Sequence, residues 1–259
     1  MKNMEKNAML TEERRRRILE MLHQDGKVLA SQLTEVFDVS EDTIRRDLNE
    51  LAACGKVQRV HGGALPPTPA GASYAIRQHQ QPQAKAEIAQ AAIQLIRDHQ
   101  VILLDGGTTP LQVAQRLPRT LQATVITHSP PIATALADHP TVEVIVVGGK
   151  LYKHSLATVG ASTVEAYRQI RADICFLGIC SLHPELGIST NNFEEAEVKR
   201  ALIASAAEVV ALTSSDKLGT AAPYIIGPLS ELTHLVTERN VSFDLLLPYQ
   251  QRAVTIIQG

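Results

Sequence analysis

Two strings in this 259-residue chain hold polar side chains at spacings suited to recognition chemistry. The first contains Thr43, Arg45, Arg46 and Asn49. On a helix these leave Ile44, Leu48 and Leu51, at i, i+4 and i+7, as one apolar stripe for a core. Arg offers a planar fork of donors that matches both guanine O6/N7 and phosphate oxygens, so two adjacent Arg can divide base edge and backbone between them. Asp47 could orient one of the two guanidinium groups. The plainer reading of an isolated Arg-Arg-Asp is a solvated helix face with local ion pairs. The second string is Asp105-Gly106-Gly107-Thr108-Thr109, between an apolar strand-like run and a helical one. Glycines let backbone N–H groups approach an anion, Thr hydroxyls add donors, and the helix N-terminus adds its dipole. Its chemistry is that of a phosphate cradle, with an ordinary strand-to-helix turn as the plainer alternative.

Other chemistries fail on spacing. There is no G-x-G-x-x-G. Gly149-Lys150 resembles the end of a P-loop, but Val144 stands where the first Gly belongs and Leu151 where Ser or Thr belongs. The nine His show no zinc-type spacing. Of the three Cys, Cys175 and Cys180 lie in an apolar run and read as small buried hydrophobes rather than metal ligands. No metal and no cofactor is expected.

The first string sits among three short helical patterns. One covers about 11–24, with Ile18, Leu19 and Leu22 on one face and Arg14 to Arg17 near its start, and Gly26 ends it. A second covers about 30–37, gathering Leu33, Val36 and Phe37. Asp38-Val39 makes a tight turn into the third, which Ser40 can cap while Glu41 and Asp42 suit its positive end. Gly55 stops it. Val57 and Val60 then alternate with Gln58 and Arg59, and His61-Gly62-Gly63 reads as the turn of a hairpin. Helix, turn, helix and hairpin predict a winged helix-turn-helix over residues 1–65. Residues 66–83 hold four Pro and several Gln and read as a linker or extended arm. Residues 84–259 alternate seven strand-like runs (101–105, 123–127, 142–147, 173–179, 208–212, 233–237 and 254–257) with helical ones near 85–97, 109–117, 130–138, 162–170, 194–206 and 241–247. β-Branched runs without polar alternation are buried on both faces, which predicts an α/β domain with a mostly parallel sheet.

Composition agrees with a packed protein, at 44% hydrophobic and 20% charged residues. Few Cys, no secretory pattern at the N-terminus and no apolar run long enough for a span lead to an expectation of a soluble cytoplasmic protein without membrane association. Gross charge does not point to nucleic acid. Lys and Arg number 11 over residues 1–65, and so do Asp and Glu. Any DNA contact must therefore rest on where the charges sit: Arg45 and Arg46 on the third helix, Arg59 on the wing, and Arg14 to Arg17 at the first helix.

The string from Ser40 to Leu48, followed by Leu51 to Ala64 with its Gly-Lys-x-x-Arg-x-x-Gly-Gly-Ala wing, resembles the DeoR family of transcriptional regulators. The resemblance continues through Tyr74-x-x-Arg77, Leu104 to Thr109, Thr127-His128-Ser129, Val147-Gly-Gly149, Asp173-x-x-Phe-Leu-Gly178, Glu195 to Arg200 and Asp216-Lys217. It implies a C-terminal sensor domain similar in fold to ribose-5-phosphate isomerase and CoA transferases. It also implies DNA contacts from Ser40, Thr43, Arg45, Arg46, Asn49, Arg59 and His61, the last two on the wing against backbone or minor groove. Asp105, Gly107, Thr108, Thr109, Ser129, Glu195, Lys199 and Lys217 are implied to line a pocket for a phosphorylated sugar or related metabolite. Glu195 and Lys199, at i and i+4, could instead be a surface pair, and Lys217 a plain loop residue. Two positions depart from the family pattern: Gly106 replaces a Ser and His128 an Asn. His128 could make ligand binding pH-sensitive near 6.5, or could lie on the surface.

The expectation is a regulator, a repressor by family resemblance. It would bind a double-stranded DNA operator as a homo-oligomer, dimer or tetramer, and answer to a phosphorylated sugar. The alternative is a phosphosugar isomerase-like enzyme with an accessory N-terminal domain, in which Asp105, Glu195 and Lys217 serve proton transfer.

Overall fold

The computed structural model describes residues 10–66 and 73–259. Residues 67–72 of the expected linker lie outside them. Two compact units divide near residue 68.

The N-terminal unit has three helices, α1 (Thr11–Asp25), α2 (Ala30–Phe37) and α3 (Glu41–Ala53). Ile18 and Leu22 of α1, Leu33 of α2, and Ile44, Leu48 and Leu51 of α3 are buried in one core with Val28, Val57 and Ala64. Three strands complete it: β1 (Val28–Leu29), β2 (Gln58–Val60) and β3 (Gly63–Leu65), in the order β1-β3-β2, all antiparallel. The hairpin follows the sequence expectation, but β1 is additional. It pairs Val28 with Ala64 and Leu29 with Gly63. A Cβ at Gly63 would meet the Val28 carbonyl oxygen at 2.0 Å, so that close pairing requires glycine there.

The second unit opens with a helix where an extended arm was expected. This is α4 (Tyr74–His79), whose Tyr74 is buried in the core of this unit. A buried aromatic anchors a segment whose Pro and Gln content alone suggests a linker. Then come α5 (Pro82–Ala92), β4 (Val101–Leu104), α6 (Thr108–Ala114), β5 (Ala123–Thr127), α7 (Pro130–Leu136) and β6 (Val142–Val146). A hairpin of β7 (Lys150–Tyr152) and β8 (Ala157–Val159) leads to α8 (Ala161–Arg168) and β9 (Ala172–Gly178). Next are β10 (Ser181–His183), β11 (Gly187–Thr190), α9 (Phe193–Ala204), β12 (Ala206–Leu212), β13 (Tyr224–Gly227), β14 (His234–Thr237), α10 (Phe243–Gln250) and β15 (Thr255–Gln258).

All seven anticipated strands form a single parallel sheet, in the order β15-β14-β12-β9-β4-β5-β6. Alternate residues feed two cores. Leu103, Cys175 and Leu177 face the layer of α8, α9 and α10, while Ile102, Leu104, Ile174 and Phe176 face α5, α6 and α7. That two-sided burial is why these strands lack polar alternation. From β4 the chain runs outward to β5 and β6, then returns past β4 to β9 and continues the other way. The order therefore reverses between β4 and β9, and open α/β sheets part their loops at such a point to leave a crevice at the strands' carboxyl ends. Asp105 follows β4 and Gly178 ends β9, so the chemistry-bearing loop lies at the reversal. The β7–β8 hairpin and the antiparallel sheet β10-β11-β13 are additions without a sequence signal.

Candidate functional site

In the N-terminal unit the N-terminus of α3 is built by Ser40. Its Oγ accepts from the Thr43 N–H at 3.3 Å and lies 2.9 Å from Thr43 Oγ1. This cap fixes the helix start and directs Arg45, Arg46 and Asn49 outward. Both Arg side chains are exposed, at 66% and 78%, and both lean on Asp42 at 2.5 and 2.7 Å. Exposed pairs at i, i+3 and i, i+4 are worth only a few tenths of a kcal/mol, so these guanidinium groups can be drawn off by a stronger anion. His61 is exposed at the wing tip. Arg59 is half-buried beside it, and its Nη1 is enclosed without a hydrogen-bond partner.

Two expectations about charge are corrected. Asp47 does not orient Arg45 or Arg46. It is buried, and it accepts from Arg14 Nε at 2.6 Å and Arg15 Nε at 2.9 Å. It sits three residues from Ile44 and so shares the core face of α3, on which α1 packs. Nor do Arg14 to Arg17 form a basic face. Arg14 is buried on Asp47, Arg15 shares that carboxylate, and only Arg16 and Arg17 are exposed, beside Glu20 and Glu13.

In the second unit the reversal between β4 and β9 opens a cleft. Gly107, Thr108, Thr109, Glu195, Lys199 and Lys217 all line it. Gly107 has φ +140, a backbone conformation that favours glycine, and it turns the chain into α6. Asp105 lies beneath the wall. It is buried, accepts from the Gly178 N–H at 2.8 Å and forms an ion pair with Lys199. Lys199 Nζ also donates to the Gly178 carbonyl at 2.8 Å. Burial alone would lower the Lys199 ammonium, but Asp105 and the nearby Glu195 outweigh it and hold it above its ordinary value. Lys199 is thus no surface partner of Glu195. It clamps the ends of β4 and β9 together from α9. Glu195 faces the cleft and accepts from Thr190 Oγ1 at 3.3 Å, while its own N–H is capped by Asn192 Oδ1 at 2.9 Å. Lys217 reaches the cleft from a short 3-10 turn, its ammonium lowered by burial.

Ser129 is not on the wall. The Thr158 N–H and hydroxyl both donate to the His128 carbonyl, at 2.8 and 3.3 Å, so β8 lies over this loop and Ser129 is fully buried at the start of α7. The neighbouring His128 is neither exposed nor a sensor of neutral pH. It is buried, with Nδ1 2.9 Å from the Tyr167 hydroxyl and Nε2 3.6 Å from Asp105 Oδ1. Burial pushes its pKa from 6.5 down to about 4. Cys180, expected as a core hydrophobe, is instead half-buried on the cleft wall, whereas Cys175 is in the core. Among the described residues no group of His, Cys, Asp and Glu is placed to hold a metal, and no helix is long and apolar enough to cross a membrane.

Sequence reasoning missed Arg77, Tyr152, Thr190 and Asn191 as cleft residues. Only Arg77 carried a signal, in Tyr74-x-x-Arg77. Buried Tyr74 seats α4, and Arg77 then donates from Nη2 to the His154 carbonyl at 2.8 Å, while its Nε is buried without a hydrogen-bond partner.

Residues 14–69 match the DeoR-like helix-turn-helix domain and residues 80–239 the DeoR C terminal sensor domain. The chain belongs to the DeoR family of transcriptional regulators. It is similar to the HTH-type transcriptional regulator GlpR of Haloferax volcanii, at 33% identity over 97% of this chain and 99% of the relative. It is also similar to the glycerol-3-phosphate regulon repressor of Escherichia coli, at 31% identity over 85% of this chain and 88% of the relative. Among solved structures, ribose 5-phosphate isomerase A from Methanocaldococcus jannaschii matches 51% of this chain and 52% of its own at 15% identity and a TM-score of 0.38, too partial a likeness to speak to function. This DeoR-family chain is a DNA-binding regulator with an α/β sensor domain.

Proposed function

We propose that this DeoR-family regulator is a cytoplasmic repressor of genes of carbohydrate metabolism, released or recruited by a phosphorylated sugar bound in the cleft at the β4–β9 reversal. The observation that carries this reading is the convergence of Gly107, Thr108, Thr109 and Lys217 with Glu195 on one hollow. The phosphate would lie at the Gly107–Thr109 turn, where hydroxyls, backbone N–H groups and Lys217 supply donors and charge. Glu195, Thr190 and Asn191 would take sugar hydroxyls. Asp105 and Lys199 would act from below by fixing the turn. The repressor sense rests on what the E. coli relative is called.

On the DNA side, Arg45, Arg46 and Asn49 of α3 would read the major groove with Thr43 near its start, Ser40 would hold the helix end against backbone, and Arg59 and His61 would reach backbone or minor groove. One such module covers little DNA, so a homo-oligomer binding paired half-sites is proposed. Ile145 and Val146 on edge strand β6 and Leu151 on β7 are exposed apolar residues that a second copy would cover. The cleft is read as a binding site rather than an active site.

A labelled fragment of the intergenic DNA beside its own gene, titrated at fixed salt with and without sugar phosphates, tests this reading. The expected result is specific binding that a phosphorylated sugar shifts at least several-fold. Absence of specific binding under every condition overturns it. Turnover in an aldose–ketose phosphate assay, abolished by Glu195→Ala, would establish an enzyme instead.

A further inference from the structure

A second hollow adjoins the cleft and shares with it Arg77, Thr108 and Lys217. Its far wall adds Lys85, Ser214 and Asp216. Three cations thus face one carboxylate, and Asp216 is partly engaged already, accepting from Ser214 Oγ at 2.5 Å. Lys85 is only 5% exposed. Its Nζ donates to the carbonyls of Arg77 and of Gln80, the latter at 2.6 Å. Carbonyls satisfy two of its three donors but leave its charge unneutralised. Burial pushes the ammonium down to about 8, with Lys217 and Arg77 acting in the same direction and Asp216 only partly against them. A buried cation facing two others is a Coulombic cost in the empty protein, and an arriving anion turns that cost into attraction.

Two cradles therefore lie side by side. The Gly107–Thr109 turn offers hydroxyls and backbone donors on one side of the shared Arg77 and Lys217, and Lys85 offers a buried ammonium on the other. We propose that the effector carries two anionic groups, a phosphate at the Gly107–Thr109 turn and a second phosphate or a carboxylate in the Lys85 hollow. This rests on the reading of the cleft as a phosphosugar site and sharpens it to a class of ligand: sugar bisphosphates and phosphorylated sugar acids rather than neutral-ended sugar monophosphates.

The test is calorimetric titration of the full chain with glucose 6-phosphate, fructose 1,6-bisphosphate and 6-phosphogluconate. The two doubly anionic compounds are expected to bind at least ten-fold tighter than glucose 6-phosphate. A preference shown by only one of them tells whether phosphate or carboxylate fills the second hollow. Lys85→Gln is expected to reduce the preference to within three-fold while glucose 6-phosphate binding changes less than three-fold, and Lys85→Arg is expected to restore it. A merely structural Lys85 would weaken all three ligands alike, which overturns the proposal. Equal affinities in the unmodified protein overturn it as well, without need of a variant. If none of the three binds, the phosphosugar reading itself has failed; if glucose 6-phosphate binds and the second anion adds nothing, only the present inference has.

Discussion

Arg14 donates from Nε to the buried Asp47 carboxylate at 2.6 Å, across 33 residues of sequence. With Arg15 Nε on the other oxygen at 2.9 Å, the pair pins α1 to the core face of α3. The angle at which α3 presents its outer face is thus set by a charged contact inside a small core. Removing one partner of a buried pair strands the other, at a cost of roughly 3–5 kcal/mol. Asp47→Ala is accordingly expected to destabilise the N-terminal unit by about 3 kcal/mol, seen as an early phase in urea unfolding, with loss of DNA binding. A variant with unchanged unfolding would show that the contact contributes nothing to this unit.

Arg45 and Arg46 should behave in the opposite way. Their pairs with Asp42 are exposed, so Arg45→Ala or Arg46→Ala should alter stability by no more than about 0.5 kcal/mol. Operator affinity should fall by roughly 1–3 kcal/mol for the residue that reads a base. For the one that meets phosphate, the weakening should extend to non-specific DNA with a shallower salt dependence. Fluorescence anisotropy on operator and scrambled duplexes, at two salt concentrations, separates the roles. Unimpaired binding by both variants would remove α3 as the reading helix.

The strands of the large sheet were legible because two-sided burial writes unbroken apolar runs such as Val101–Leu104 and Val209–Leu212. The helices other than α4 were legible by their period, and the Gly107–Thr109 turn by its residue types. What stayed hidden depends on contacts distant in sequence. Asp47 next to Arg46 reads as its partner, and nothing local says that Arg14 claims it. Lys199 at i+4 from Glu195 reads as a surface pair, yet its partner is Asp105, 94 residues away. Ser129 reads as a ligand residue until β8 is known to cover its loop. Arg77 sits in a Pro- and Gln-rich stretch whose composition suggests a linker, and a single buried Tyr74 reverses that; Lys85 opens a run that reads only as helical.

Gly106, one of the two departures from the family pattern, has a steric cause within this chain. A Cβ there would meet Ala157 Cβ at 2.5 Å and lie 3.5 Å from His128 Nε2. Gly106→Ser should therefore cost about 1–3 kcal/mol through overpacking, measurable as a fall in Tm of the sensor unit. Ala157→Gly should recover part of it in the double variant, because the nearest obstructing atom is gone. If Gly106→Ser is neutral, β8 yields easily and the crowding carries no cost.

His128 supplies a pH dependence of stability and not of ligand binding. Above pH 6.5 its imidazole is neutral whether the chain is folded or unfolded. As pH falls from 6.5 towards 4, the unfolded chain takes up a proton that burial denies the folded one. Folding stability must then drop across that window, by up to about 3 kcal/mol near its lower end. Thermal melts of the unmodified protein should show Tm declining between pH 6.5 and 4. In His128→Asn, where no proton can bind, the decline should be shallower, with the two curves diverging as pH falls. Effector affinity should show no step near 6.5 that His128→Asn removes, since the folded imidazole does not titrate there. Such a step, or parallel melting curves for the two proteins, would place His128 in water rather than between Tyr167 and Asp105.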